Sequence, residues 1–254
     1  MRVVVLGCAT STGVPVIGCK CDVCSSGDPR NKRTRSSLFV NARGKNILID
    51  TSPDLRFQAL ASGVCSIDFV LYTHSHADHT HGIDDLRIFN FLKKTPIPCF
   101  GNRYTVENIR RSFSYIFDGT HSSGGKPQLD LKVIEEEFEV EGVRVQPIEV
   151  NHDNLIIYGY RIGNLAYITD CSGIPPRSLE KLRGLDVLII GALRNRPHPA
   201  HFSVEEALTA ISQIKPKRAF LTHMGHELEY NELAGRLPAG VMPAYDGLIL
   251  ALEE

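Results

Sequence analysis

The chain has no tryptophan, only three methionines, and aromatic residues at 7% of its 254 positions. Its core must therefore be built from aliphatic side chains, and the 43% apolar content is the ordinary supply of a globular protein. No run of about 18 apolar residues is present, so no segment reads as a membrane-crossing helix. No charged leader precedes an apolar stretch at the N-terminus either, and a cytoplasmic location is expected. An excess of one charge is also missing. The formal net charge of −1 gives no support to a surface that coats nucleic-acid phosphates. The one basic stretch, PRNKRTR at 29–35, reads as a solvated loop. Without a fixed-period repeat, a low-complexity tract or a linker, the length suits one domain over 1–254.

What is present is a series of short β-branched runs, among them RVVVLG, NILID, DFVLYT, LAYITD, DVLIIGA and RAFLTH. Eleven such runs are expected to form strands. Several are apolar throughout, as strands covered on both faces are. LFVNARGKNILI predicts a hairpin turning within 41–46. Between the runs lie helical patterns: PDLRFQALAS with Pro53 in its first turn, GIDDLRIFNFLKK, TVENIRRSFSYIF, PPRSLEKLRG and SVEEALTAISQIK. The last opens on a Ser203-x-x-Glu206 capping box. Alternation of this kind predicts an α/β class with sheets inside and helices outside. The stretch 114–130 reads as a surface loop, with a lid as the alternative.

Four of the ten histidines fall within YTHSHADHTHGID at 72–84, directly after an apolar run. His74 and His76 alternate with Thr73 and Ser75, so in extended backbone their rings project to one side. Asp78 and His79 must turn away from that pair. One segment thus offers two nitrogen donors beside an oxygen–nitrogen pair, an arrangement suited to two neighbouring cations. A second cluster, GCKCDVC, supplies Cys19, Cys21 and Cys24. Three thiols this close in a reducing compartment form a soft nest that lacks one donor for tetrahedral zinc. His226, in THMGHE, is a candidate fourth donor, and core cysteines or a redox pair are the alternatives. Cys8, Cys65, Cys99 and Cys171 have no partner in the sequence and are expected in the core.

THSHADH resembles the signature of the metallo-β-lactamase-fold hydrolases, and the likeness continues through ILID, IEVNH, YITD and FLTH. The resemblance implies a four-layer αββα sandwich with a two-metal site at one edge, between the sheets. His74, His76 and His152 would hold one ion; Asp78, His79 and His223 would hold the other, with Asp170 bridging. Asp50 is implied to steady the histidine loop, and with Asp78 and His201 it completes the catalytic set. His201, in RPHPAHFSVEEA, matches the general acid of phosphodiesterases with this fold; His198 reads as a loop residue. The cysteine loop at about 15–35, with His226, is similar to the structural zinc site of the PhnP-type phosphodiesterases of the carbon–phosphorus lyase pathway. The closing YDGLILAL fits that group too.

The expected activity is hydrolysis of a small cyclic ribose or nucleotide-like phosphate diester by a hydroxide formed between two divalent ions. Zn²⁺, Mn²⁺ and Fe²⁺ all suit the donors, and one structural Zn²⁺ is expected besides. A transfer-RNA 3′-processing endonuclease is the runner-up. The absence of an inserted RNA-grasping arm and of basic charge weighs against it and against any extended nucleic-acid surface. A thiolester or lactam hydrolase would share the metals without needing His201. A non-catalytic quinone-cofactor carrier of the same fold is a further alternative, weakened by the intact H-x-H-x-D-H. No membrane partner is expected, and the resemblance admits a homodimer.

Overall fold

The computed structural model describes residues 1–120 and 125–253. Strands β1 (Arg2–Gly7), β2 (Ser37–Ala42), β3 (Lys45–Ile49), β4 (Phe69–Leu71), β5 (Ile97–Gly101) and β6 (Leu129–Val133) run through the first half. Then follow β7 (Phe138–Val140), β8 (Val143–His152), β9 (Leu155–Ile162), β10 (Leu165–Ile168), β11 (Val187–Gly191), β12 (Arg218–Thr222), β13 (Val241–Pro243) and β14 (Ile249–Ala251). They form two seven-stranded sheets, ordered β14-β1-β2-β3-β4-β5-β6 and β13-β12-β11-β10-β9-β8-β7. Each sheet is mixed: β3 to β6 are parallel in the first and β10 to β13 in the second, and the remaining pairs are antiparallel.

The alternation along the strands explains the layering. In β1, Val3 and Val5 face the core shared by the two sheets, and Val4 and Leu6 face helices on the outside. Leu38 and Val40 against Phe39, and Ile47 and Ile49 against Leu48, repeat the pattern. Both sides of these strands are covered, which is why the runs are apolar at every position. Of the helices α1 (Asp22–Ser25), α2 (Leu55–Ser62), α3 (Ala77–Thr80), α4 (Leu86–Lys93), α5 (Arg103–Ser112) and α6 (Ser114–Phe117), the pairs α2 with α4 and α5 with α6 cover the first sheet. Of α7 (Pro176–Lys181), α8 (Val204–Ile214) and α9 (Tyr230–Arg236), α8 buries Val204, Ala207, Ala210, Ile211 and Ile214 against the second. Ser203 and Glu206 close the expected capping box at the start of α8. The result is the αββα sandwich expected from the sequence.

Three strands are absent from the eleven expected runs: β6, β7 and β13. All three are sheet edges. LDLKV alternates charged residues on an exposed edge, and the other two strands are three residues long, so neither carries the apolar signal of a covered strand. The helix expected over TVENIRRSFSYIF breaks at Phe113 into α5 and α6, and α2 begins at Leu55, after Pro53. The loop expected at 114–130 holds α6 and the start of β6, and residues 121–124, on which the lid reading partly falls, lie outside the described residues. The basic stretch 29–35 is not a solvated loop. Arg33 is 2% exposed and donates to Asn31 Oδ1 and to the carbonyls of Arg30, Gly225 and Leu228, while Arg30 pairs with Asp28 and lies over the Tyr230 ring. Cys65 is exposed, against the expected core position, whereas Cys8, Cys99 and Cys171 are buried. No helix among the described residues is long and apolar enough to cross a membrane.

The segment after β4 is tied to the segment after β3 through backbone groups. Thr51 N–H donates to His79 O at 2.8 Å, and Gly82 N–H donates to Thr51 O at 2.9 Å. Gly82 permits this approach, since a Cβ there would lie 2.0 Å from Ser52 O. Gly82→Ala should therefore push the histidine loop off its seat and cost roughly 1–3 kcal/mol, lowering Tm by about 5 °C. A thermal melt indistinguishable from wild type would contradict that close packing.

Candidate metal centre

The parallel strand pairs bring chemistry-bearing residues to one edge. Asp50 follows β3, and its amide donates to Leu71 O, so it sits beside Tyr72 and Thr73 at the end of β4. His152 ends β8, Asp170 lies two residues past β10, and His223 lies one past β12. Asp50, Asp170 and His223 have φ of +64°, +52° and +55°. Left-handed backbone costs a side-chain-bearing residue about 1 kcal/mol or more, and Asp and His are among the types that tolerate it. In each case the strand stops by turning a donor into the gap between the sheets. The two sheets are joined at this edge by Tyr158 N–H to Thr73 O at 3.0 Å and Tyr160 O–H to Tyr72 O at 2.8 Å.

The donor atoms of His74, His76 and His152 lie within 4.8 Å of one another, as do those of Asp78, His79, Asp170 and His223. Asp170 reaches both groups: its Oδ1 is 3.3 Å from His79 Nε2 and 3.0 Å from His223 Nδ1, and its Oδ2 is 3.8 Å from His74 Nε2. His201 joins His152 and Asp170 in an overlapping cluster, with Nδ1 3.8 Å from Asp170 Oδ2 and its ring stacked on His223 at 5.0 Å. The structure thus brings together all seven residues expected at the two-metal site, with His201 at its rim. His198 lies one ring further out, 5.1 Å from His201. His81, the fourth histidine of the loop, turns away and packs on Phe113 at 5.3 Å.

The hydrogen bonds decide which ring nitrogens are bare. Asp50 is fully buried, and its Oδ1 accepts Thr73 N–H at 2.8 Å. Its Oδ2 accepts Thr73 O–H at 2.7 Å and faces His79 Nδ1 at 2.7 Å. His79 therefore donates from Nδ1. The Thr73 hydroxyl has given its only proton to Asp50, so His74 Nδ1, 3.0 Å away, must donate to it. His152 Nδ1 lies 2.8 Å from Ala200 O and donates likewise. All three rings then turn Nε2 to the gap. His74 Nε2, His79 Nε2 and His201 Nδ1 are buried with no hydrogen-bond partner.

A bare Nε2 on His79 facing Asp78 Oδ2 and Asp170 Oδ1, both at 3.3 Å, is repulsive unless positive charge intervenes. A proton can supply it: burial opposes a charged ring, but Asp170, Asp78 and Asp50 raise His79 well above the usual imidazole range. Burial alone would also raise Asp78 and Asp170, yet His79 and His223 hold both carboxyls below the usual range. Burial drives His74 well down, lowers His76 and His223, and pushes His201 down to about 3. Orphaned nitrogens around a shared carboxylate, ready to give up the stand-in proton, fit divalent cations well.

A second cluster lies beside the first. His226 Nδ1 is 3.4 Å from Cys19 Sγ, 3.4 Å from Cys21 Sγ and 3.6 Å from Cys24 Sγ. The Cys24 amide, and after it His226, hold the Cys21 thiol down at about 6, while burial raises Cys24. Three sulfurs and one imidazole are a tetrahedral zinc set, and the fourth donor expected from the sequence is in place. Arg33 braces the turn between His223 and His226 through the Gly225 and Leu228 carbonyls. Thr73, Ser36 and the Ala200 carbonyl, which orient His74, His223 and His152, were not singled out in the sequence. Only the threonine flanking His74 gave a signal that could have been followed.

Fold and donor set together define an αββα sandwich that carries a candidate two-metal centre and a candidate zinc site on one edge. A family model described as Beta-lactamase superfamily domain matches residues 45–224, and the chain belongs to that superfamily. Within it, the chain is similar to a solved structure described as a new diphosphatase from the PhnP family: 42% identical, covering 99% of this chain and 98% of the other, TM-score 0.93. The likeness read from the histidine and cysteine loops is thereby borne out. The chain is also 39% identical, along its whole length, to a Porphyromonas gingivalis protein named octanoyltransferase, of which it spans only 52%. A coenzyme PQQ synthesis protein B from Methylorubrum extorquens is 38% identical over 74% of this chain and 72% of its own length.

Asp50→Asn removes one of the two acceptor oxygens and frees the tautomers of His74 and His79. Apparent affinity for Zn²⁺ or Mn²⁺ at the histidine cluster should fall about 10–100-fold. Calorimetric titration of the variant reads this directly; unchanged affinity would contradict the orienting role of Asp50.

Proposed function

We propose that this chain is a metal-dependent phosphodiesterase acting on a small cyclic ribose or nucleotide-like diester. The observation that carries the reading is the convergence of unpartnered buried ring nitrogens on the Asp170 carboxylate. Likeness over almost the full chain to a PhnP-family diphosphatase supports phosphorus–oxygen chemistry over other hydrolyses. His74, His76 and His152 would hold one divalent ion and Asp78, His79 and His223 the other, with Asp170 between them. When bound, such ions activate water and offset the charge that builds on phosphoryl oxygens. Cys19, Cys21, Cys24 and His226 would hold a structural Zn²⁺.

The chain's own residues supply orientation and the proton. Asp50 fixes His79 directly and His74 through Thr73, so the donors are set before substrate arrives. Asp170, His74, His79, His152 and His223 are buried, so the floor of the site is polar and shielded from solvent, with His76 at its open side. His201 stands at the rim, on the segment leading into α8, where burial pushes its imidazole down to about 3. An anionic phosphate beside it favours protonation, so the proton for the leaving oxygen is taken up with the substrate.

A second reading has its own observation. The full-length likeness to part of a protein named octanoyltransferase makes an acyl thioester a substrate to test. Purified protein should therefore be assayed with an alkyl-leaving cyclic nucleotide diester, bis(p-nitrophenyl) phosphate, a nucleoside diphosphate bridged by a phosphoanhydride, precursor tRNA and an octanoyl thioester. Diester cleavage is expected; thioester turnover alone would overturn the assignment. His201→Ala should cost about 10²–10⁴ in rate on the alkyl diester. On p-nitrophenolate, which leaves without a proton, the loss should be under about tenfold, with metal content unchanged. Equal losses on both substrates would remove His201 from proton transfer.

A further inference from the structure

The loop between β11 and α8 carries two histidines, of which only His201 has a part in the proposed reaction. The other, His198, sits half-buried in the run RNRPHPAHF, flanked by Pro197 and Pro199. Both peptide units beside His201 are anchored to the candidate metal centre. Before it, the Ala200 carbonyl accepts His152 Nδ1–H at 2.8 Å. After it, Phe202 N–H donates at 2.6 Å to the carbonyl of Cys171, the residue next to Asp170. The backbone that carries His201 is therefore held by the donors it stands beside. The loop is tied down at its outer end as well. Arg194 donates from Nε to Arg196 O at 3.2 Å and from Nη2 to Pro197 O at 2.9 Å, and Arg196 pairs with Glu227 at 2.9 Å.

The His198 ring closes this loop. Its Nδ1 accepts Ala200 N–H at 3.2 Å, so Ala200 is held at its amide by His198 and at its carbonyl by His152. A neutral imidazole that accepts at Nδ1 carries its proton on Nε2. Burial, followed by Arg194 and His152, lowers His198 below the usual imidazole range, in keeping with an accepting nitrogen. The two prolines add stiffness without donors: each fixes its own φ, and Pro199 keeps His198 extended. We propose that His198 is a positioning residue that sets, through Ala200, the orientation of the His152 ring and the placement of His201. Its ring lies 5.1 Å from that of His201, which in turn lies 4.8 Å from His152 and 5.0 Å from His223. These contacts form a continuous row of imidazoles from the loop into the metal centre, with His198 outermost. The effect on catalysis rests on the phosphodiesterase reading; the effect on the His152 ring does not.

His198→Ala and His198→Asn in the whole chain test this, since the Asn side-chain oxygen can accept the same amide proton. Circular dichroism of both should match wild type. Long-range proton–nitrogen NMR of the imidazoles in the metal-free protein should show a slowly exchanging His152 Nδ1 proton in wild type and His198→Asn, and fast exchange in His198→Ala. In the metal-loaded protein, His198→Ala should lower kcat on an alkyl-leaving diester about tenfold with KM little changed, and on a p-nitrophenyl diester under about threefold. His198→Asn should recover most of the alkyl rate. Equal protection of His152 in all three proteins would overturn the proposal, as would a His198 ring that carries its proton on Nδ1. A loss in His198→Asn as large as in His198→Ala would overturn it too, because the accepting atom would then not be what matters. A wild type that cleaves no diester would strike the phosphodiesterase reading, and the NMR result alone would then decide this one.

Discussion

A single buried carboxylate governs the chemistry of this edge of the molecule. Asp50 sees no solvent, accepts two hydrogen bonds from Thr73 and one from His79, and so dictates where the protons of two imidazoles lie. Burial raises Asp50 above the usual carboxylate range, and the neighbouring His79 is the largest opposing influence. An uncompensated charge here would be costly, and the acid is stable because every lone pair it turns inward has a donor. The consequence reaches past Asp50 itself: ring nitrogens, buried and unpaired, are gathered round Asp170.

The fold exists in the form it does to hold that arrangement steady. Each sheet supplies part of the site, and neither part is useful alone. Asp50, His74, His76, Asp78 and His79 come from the first sheet, and His152, Asp170 and His223 from the second. The apolar core between the sheets fixes their separation, and the two tyrosine contacts to Tyr72 and Thr73 pin it at the site itself. Strand ends in left-handed backbone store strain that the packing around them must offset, a common feature of functional sites. The thiol cluster extends the same logic. It fastens the loop of residues 19–24 to the turn that carries His223, so a soft-donor site and a hard-donor site share one short peptide.

Much of this was legible in the amino-acid order because the relevant signals are local. A histidine loop ending an apolar run, three cysteines within six residues and a Ser-x-x-Glu cap each announce themselves at short range. The central strands were visible because burial on both faces leaves continuous β-branched runs. The edge strands were not, since β6 alternates with charge and β7 and β13 are too short to show a period. Arg33 misled for a related reason: a basic cluster reads as solvated unless the distant carbonyls that satisfy it, at 225 and 228, are known. The tautomers could not be read from sequence at all. They depend on Thr73, Ala200 and Asp50 meeting across the fold, and the downward shift of His201 depends on burial that only the assembled edge creates.

The central claim is that two cations sit close enough to share the Asp170 carboxylate. Electron paramagnetic resonance of the Mn²⁺-loaded protein addresses it most directly, because neighbouring Mn²⁺ ions bridged by a carboxylate couple their spins. The account predicts an exchange-coupled spectrum at two Mn²⁺ per chain, lost in Asp170→Asn. Uncoupled single-ion signals at full loading, or saturation at one ion in the histidine cluster, would contradict it.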